Sequence, residues 1–271
     1  MKKLIKLELQ KMMPSQTIKA MMLIFAILYG LVILFAGNFN FKMQSTGLDI
    51  NNLYRFPHIW NTLTNFAEFF NVFPAIAIVS LIGTEFTYRT FRQNIIDGLT
   101  RNEIVTGKII LGLMISIACT LFVFVITLIY GIITTPNLGL GLIFQNSYQI
   151  LAYFLQVNAM VFLAMMLAFL LRNTAITILI FLVYCYPIDR ILRNTFSSII
   201  DERMLFFFPM KSIAELTQWP TFQAAFGEGG IANTLQEMNK QPSVWLYVIN
   251  TLVYCGIFIL LTFLSIRKKN L

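Results

Sequence analysis

Residues Gly83 to Lys108 read GTEFTYRTFRQNIIDGLTRNEIVTGK, a charged stretch with long apolar runs on either side. Glu85, Asp97 and Glu103 stand among Arg89, Arg92, Arg101 and Lys108. This set makes charge-assisted hydrogen bonds, and Arg forms paired bonds to carboxylates that Lys does not match. Raw material for other chemistry is scarce. His58 is the only histidine, and Cys119, Cys185 and Cys255 fall in separate apolar runs without CxxC spacing. That argues against a disulfide framework, a zinc site or an HExxH protease. Thr106-Gly107-Lys108-Ile109 lacks both the upstream glycine and the Ser/Thr of a phosphate loop, so no nucleotide site is expected.

The elements that position this stretch follow from composition. Hydrophobic residues make up 58% of the 271, and charged residues only 12%. Soluble domains carry about 25% charged residues. Mean hydropathy is +0.74. The expected class is an all-α polytopic membrane protein. A crossing helix needs about 20 apolar residues. Six segments qualify: Ala20–Gly37, Phe66–Gly83, Ile109–Ile133, Tyr148–Leu171, Thr174–Ile188 and Val244–Ile266. Residues 1–14 predict an amphipathic helix in the headgroup region, ended by Pro14, with Ile5, Leu9, Met12 and Met13 on one face. Residues 189–243 form an extracytoplasmic loop whose aromatics predict short helices. These either dip into the outer leaflet and cap an outer mouth, or form an ordinary surface subdomain.

The formal charge of +8 is read as cytoplasmic Lys and Arg near span ends rather than as a nucleic-acid surface. Lysines 2, 3, 6, 11 and 19, the Gly83–Lys108 stretch, Arg172 and the closing Arg267-Lys268-Lys269 all fall on one side of a six-span topology. Both termini are therefore expected in the cytoplasm.

Local signals shape the charged stretch. Glu85 and Arg89 stand at i, i+4 in the favourable order for a helical pair. Gly98 suits the position just past a helix end. Thr100 and Glu103 have the spacing of a capping box. The second span is thus expected to stay helical to near Asp97, about 18 Å beyond Glu85 at 1.5 Å per residue. The chain then turns at Gly98–Leu99 and restarts at Thr100. Phe86, Tyr88, Phe91, Ile95 and Ile96 lie among the charges, a mixture that protein interfaces favour. A surface helix with snorkelling charges accounts for the same residues.

At this point the chain resembles the permease subunit of a type-2 ABC exporter. The resemblance rests on the six spans, the N-terminal amphipathic helix and Gly83, Thr84, Glu85, Arg92, Gly98, Leu99, Arg101, Gly107 and Lys108. Where the family carries a Pro-Val-Ser-Arg-like turn, this chain reads Leu-Thr-Arg-Asn-Glu, keeping the Arg and the downstream Gly-Lys. The family's outer loop has a proline near its middle, as at Phe208-Pro209. The resemblance implies one permease domain over residues 1–271 in the cell inner or plasma membrane. It implies that segment 84–107 is the coupling helix, meeting a separate ATPase through Glu85, Arg89, Arg92, Asp97, Gly98, Leu99, Arg101 and Glu103. It also implies a second permease copy, identical or related, and ATP held by the partner, leaving this chain without a cofactor.

The residues support that reading on one independent point. Transporters driven by ion gradients usually bury acidic groups near the midplane, whereas Glu68 and Glu85 lie at the two ends of the second span. Milder polar residues, Asn71, Thr120, Thr127, Gln156, Asn158 and Asn250, lie within the spans. They are candidates to line a pathway or to bond helices together. An exporter permease for amphipathic or hydrophobic cargo follows. A non-transporting scaffold or sensor is the alternative, and it need not co-purify with an ATPase. An intramembrane enzyme would require a nucleophile–base pair or metal ligands that the spans lack.

Overall fold

A computed structural model describes residues 2–38, 42–43, 48–136, 139–197, 207–217 and 244–268. Apart from a two-residue antiparallel pairing of Lys42–Met43 with Leu48–Asp49, the described chain is built of helices. Helix α1 (Lys2–Met12) stops ahead of Pro14. Helix α2 (Gln16–Asn38) begins just after Ser15, whose Oγ accepts from the Ile18 N–H at 3.5 Å. On α2, Ile18, Phe25, Tyr29 and Ile33 are buried, while Leu23, Ile27, Leu31 and Leu34 are exposed. The two sets recur at helical spacing. An outer face of this kind suits acyl chains, which are as apolar as leucine.

The second span is not one continuous helix. It consists of α3 (Ile59–Glu68) and α4 (Val72–Thr87), bent by 40° at the short break between them. Pro74 is the reason. It has no N–H, and its ring would strike the carbonyl four residues back, so it is tolerated in the first turn of α4 but not inside a longer helix. Helix α5 (Thr90–Ile96) follows, then α6 (Arg101–Thr134). At 34 residues, α6 is about 50 Å long. Past the short α7 (Leu140–Phe144), α8 (Tyr148–Leu171) is the hub. It packs against α3, α4, α6 and the helices at Thr174–Val183 and Val244–Lys268. Its buried side chains, from Ala152 and Tyr153 to Ala168 and Phe169, cover its full circumference.

The fifth span, expected to end near Ile188, runs on. Helix α9 (Thr174–Val183) passes through a π-helical turn, Tyr184–Ile188, into α10 (Asp189–Ser197). The wider turn absorbs Pro187, which cannot donate to an α-helical ladder. The first nine residues assigned to the outer loop are therefore helical. Helix α11 (Pro209–Ala214) packs against α8 and α12 (Val244–Lys268). Of the aromatics expected to form short helices in that loop, those at 204–206 and 219–226 lie outside the described residues.

Among the described residues, five helices are long and apolar enough to cross a membrane, and the bent α3–α4 pair makes a sixth when counted as one span.

Candidate functional site

The charged stretch folds into a rigid junction of four elements. Helix α4 ends at Thr87, and Arg89 adopts a left-handed conformation with φ 54°. The helix expected to run unbroken from the second span to Asp97 is thus broken after Thr87, and α5 is a separate short helix. This also removes the expected Glu85–Arg89 pair, because residues across a left-handed joint no longer share a helix face. The far end of α5 agrees with the local signals. Asp97 is its C-cap, and Gly98 has φ 96°, a region costly for a residue with a Cβ. Thr100 caps α6: its Oγ1 accepts from the Glu103 N–H at 3.3 Å, and Glu103 Oε2 accepts from the Thr100 N–H at 2.8 Å.

Glu85 finds different partners. Lys108 is fully buried on α6, and its Nζ lies 2.7 Å from Glu85 Oε1 and 2.6 Å from Glu8 Oε2 on α1. Lys11 Nζ is 3.0 Å from the same Glu85 oxygen. Two carboxylates and two ammonium groups thus tie α1, α4 and α6 together. Taking these groups out of water is costly, and the geometry compensates only while each charge keeps its partner. Gly107 lets the helices approach: a Cβ there would lie 2.9 Å from Leu4 Cδ2 and 3.3 Å from Glu8 Cγ. Gly83 does the same for α4 and α9, where a Cβ would sit 1.9 Å from Thr174 Oγ1. An amphipathic α1 was legible, but its seat against α6 was not. Glu8, Lys11 and Lys108 were missed as one cluster because their pairing spans 100 residues. Glu8, a lone acid within a basic segment, was the available signal.

Sorting the remaining residues of the stretch gives an inner and an outer set. Phe86 and Phe91, expected at an interface, pack inward with ring centroids 4.5 Å apart, and both lie within 6 Å of Phe169 on α8. The Arg172 guanidinium sits 5.5 Å from the Phe86 ring centre, within cation–π reach. Arg101, expected to reach an acidic group on a partner, donates from Nη1 to the Ile266 carbonyl of α12 at 3.3 Å. Ile95 and Leu99 are half-buried. Facing outward are Arg89, Arg92 and Asp97, with Tyr88 at 76% and Ile96 at 84% exposure.

The polar residues of the spans divide as well. Thr120 bonds back to the Ser116 carbonyl, and Thr127 meets Tyr29 of α2 at 3.3 Å. Asn158 donates to the Phe154 carbonyl, and Asn250 is half-buried on α12. Asn71 and Gln156 come together on a cavity of about 300 Å³ between the α3–α4 bend, α8, α10 and α11. Gln156 donates to the Ile213 carbonyl at 3.0 Å and to the Ala214 carbonyl at 3.4 Å, satisfying carbonyls at the end of α11 that have no partner within the helix. Among the described residues no group of three or more His, Cys, Asp or Glu has the makings of a metal site.

A multi-pass helical membrane protein with a charged, locked junction at one end of its second span is the class defined by these features. Comparison of the sequence with protein families is consistent with it. Residues 4–187 match the model of the ABC-2 family transporter proteins. The chain belongs to that family and is an ABC transporter permease. No curated protein matches the chain.

Proposed function

We propose that the chain is the membrane half of an exporter driven by a separate ATPase, which docks on the outward-facing surface of α5. The supporting observation is the combination of exposure and stiffness there. Arg92 and Ile96 are held in the open on a helix bounded by a left-handed joint and a capped turn, with exposed Tyr88, Arg89 and Asp97 at its two ends. Force applied to a flexible loop would be absorbed, whereas this segment passes it to α6 and, through Lys108, to α1 and α4. A second permease copy completes the pathway, ATP is bound by the partner, and both termini face the cytoplasm with six crossings. Movement of the ATPases rocks the two helical bundles between inward-open and outward-open states. Asn71, Gln156 and the other polar residues of the spans contribute to the pathway.

Since Arg101 is turned to α12, the test uses Arg92→Glu combined with Ile96→Asp. Both positions are exposed, so the fold should survive. Disrupting desolvated interface charges costs about 2–5 kcal/mol, so the ATPase should no longer co-purify while the size-exclusion profile stays unchanged. Full retention of the ATPase by the folded double variant would refute docking at α5 and leave this segment a solvated surface helix.

A further inference from the structure

The cavity behind the α3–α4 bend has a composition that calls for a ligand. Its wall carries three carboxylates, Glu68, Asp189 and Glu215, against two guanidinium groups, Arg190 and Arg193. Arg193 Nε lies 2.8 Å from Asp189 Oδ2, and Arg190 is exposed. Glu68 has no ion-pair partner among the described residues; its Oε2 accepts a long bond, 3.4 Å, from the Thr217 hydroxyl, and the Gln156 side chain also bonds its carboxyl. A carboxyl without an ion-pair partner among the described residues therefore faces the cavity.

A second, independent observation comes from Asn71. It is 1% exposed and lines the same cavity. Its Oδ1 accepts from the Tyr153 hydroxyl at 2.9 Å, and its Nδ2 has no partner among the described residues. A buried amide with one atom unpaired is costly whichever way the amide is turned. Beside these polar groups the lining has an apolar and aromatic part, with Phe69, Met160, Tyr186 and Met210. The volume falls at the small end of ligand sites. Aromatic faces near a carboxylate suit a cation carried on an apolar body.

We propose that this cavity binds the ammonium end of an amphiphilic amine. The ammonium pairs with Glu68, a polar atom of the ligand meets the Asn71 amide, and the apolar body lies against Met160 and Met210. The biological meaning, cargo recognition, rests on the permease reading; the binding itself does not, because it is measured on the chain alone. Two sources carry the same chemistry: an ethanolamine lipid headgroup and a soluble cationic amphiphile.

The test uses the purified full chain in phosphatidylcholine nanodiscs, with dansylcadaverine as the fluorescent amine and its N-acetyl derivative as the uncharged control. Saturable binding of the amine is expected, with the acetylated probe at least tenfold weaker. Glu68→Gln should weaken the amine about tenfold and leave the acetylated probe unaffected, while Lys19→Gln at an exposed position of α2 should change neither. Displacement of the amine by added phosphatidylethanolamine assigns the site to a lipid headgroup, and binding that survives it assigns the site to a soluble amphiphile. Equal affinity for charged and acetylated probes, or no saturable binding by folded wild-type chain, would overturn the proposal. Should Glu68→Gln fail to elute as a folded species, the two-probe comparison on wild type decides alone. Failure here with intact ATPase co-purification would remove the amine site and leave the permease reading standing.

Discussion

Replacing Lys108 by Met tests the buried cluster most directly. Met keeps nearly the volume of the Lys stem and removes one charge. Lys108 is fully buried and bridges Glu8 at 2.6 Å and Glu85 at 2.7 Å. In its absence Glu85 keeps Lys11 at 3.0 Å, a partner 29% exposed. Glu8, itself 5% exposed, is left as a carboxylate among apolar contacts. Breaking one partner out of a buried ion pair costs about 3–5 kcal/mol. At roughly 2–4 °C of melting temperature per kcal/mol for a chain of this size, thermal unfolding followed by size exclusion should fall by on the order of 10 °C. The control is the triple variant Lys108→Met, Glu8→Leu, Glu85→Leu. Replacing a whole buried ionic group by apolar residues is often neutral or stabilising, so the triple variant should recover most of the loss. A single variant that melts within about 2 °C of wild type, well below the expected shift, would refute the claim that α1 is held to α6 by desolvated charge. A triple variant no better than the single would show that the loss comes from packing around Lys108.

Two further outcomes follow from other parts of the fold. Gly83→Ala places a methyl 1.9 Å from Thr174 Oγ1 and should destabilise by about 1–3 kcal/mol, as overpacking does; adding Thr174→Ala should restore part of the loss in the same melting assay. In a background with all three cysteines replaced, Arg172→Cys should be labelled by a membrane-impermeant maleimide only in inside-out vesicles, and labelling from the outside would invert the proposed topology.

Much of the fold was legible because its signals are short-ranged. Uncharged runs of bilayer length mark helices whether or not their neighbours are known. The Thr100–Glu103 box and the Gly98 turn involve groups within four residues of one another, and the backbone forms them as the sequence indicates. Pro14 ends α1 for the same local reason. Pro74 and Pro187 were equally visible, yet each had two outcomes. One became a 40° bend with the proline in a new first turn, the other a π turn inside a helix that continues. Which outcome applies depends on whether neighbouring helices need the segment to change direction or to carry on.

Charge partners were not legible at all. Glu85 has a satisfactory local choice in Arg89, and a sequence offers no ground for preferring Lys108, 23 residues away, joined with Glu8, 100 residues from that lysine. Helix packing decides, because α1 settles over Gly107 and excludes water from Lys108, and a desolvated ammonium must take every carboxylate within reach. The sorting of Phe86 and Phe91 inward while Tyr88 and Ile96 stay outside has the same origin. It is set by the left-handed joint at Arg89 and by the face that α8 presents. The gathering of Glu68, Asn71, Gln156 and Thr217 around one cavity is a further case. Each is an ordinary polar residue of a span or loop, and Glu68, expected at one end of the second span, sits instead at the bend inside it; only the packing of the α3–α4 bend against α8 and α11 gives them a shared space.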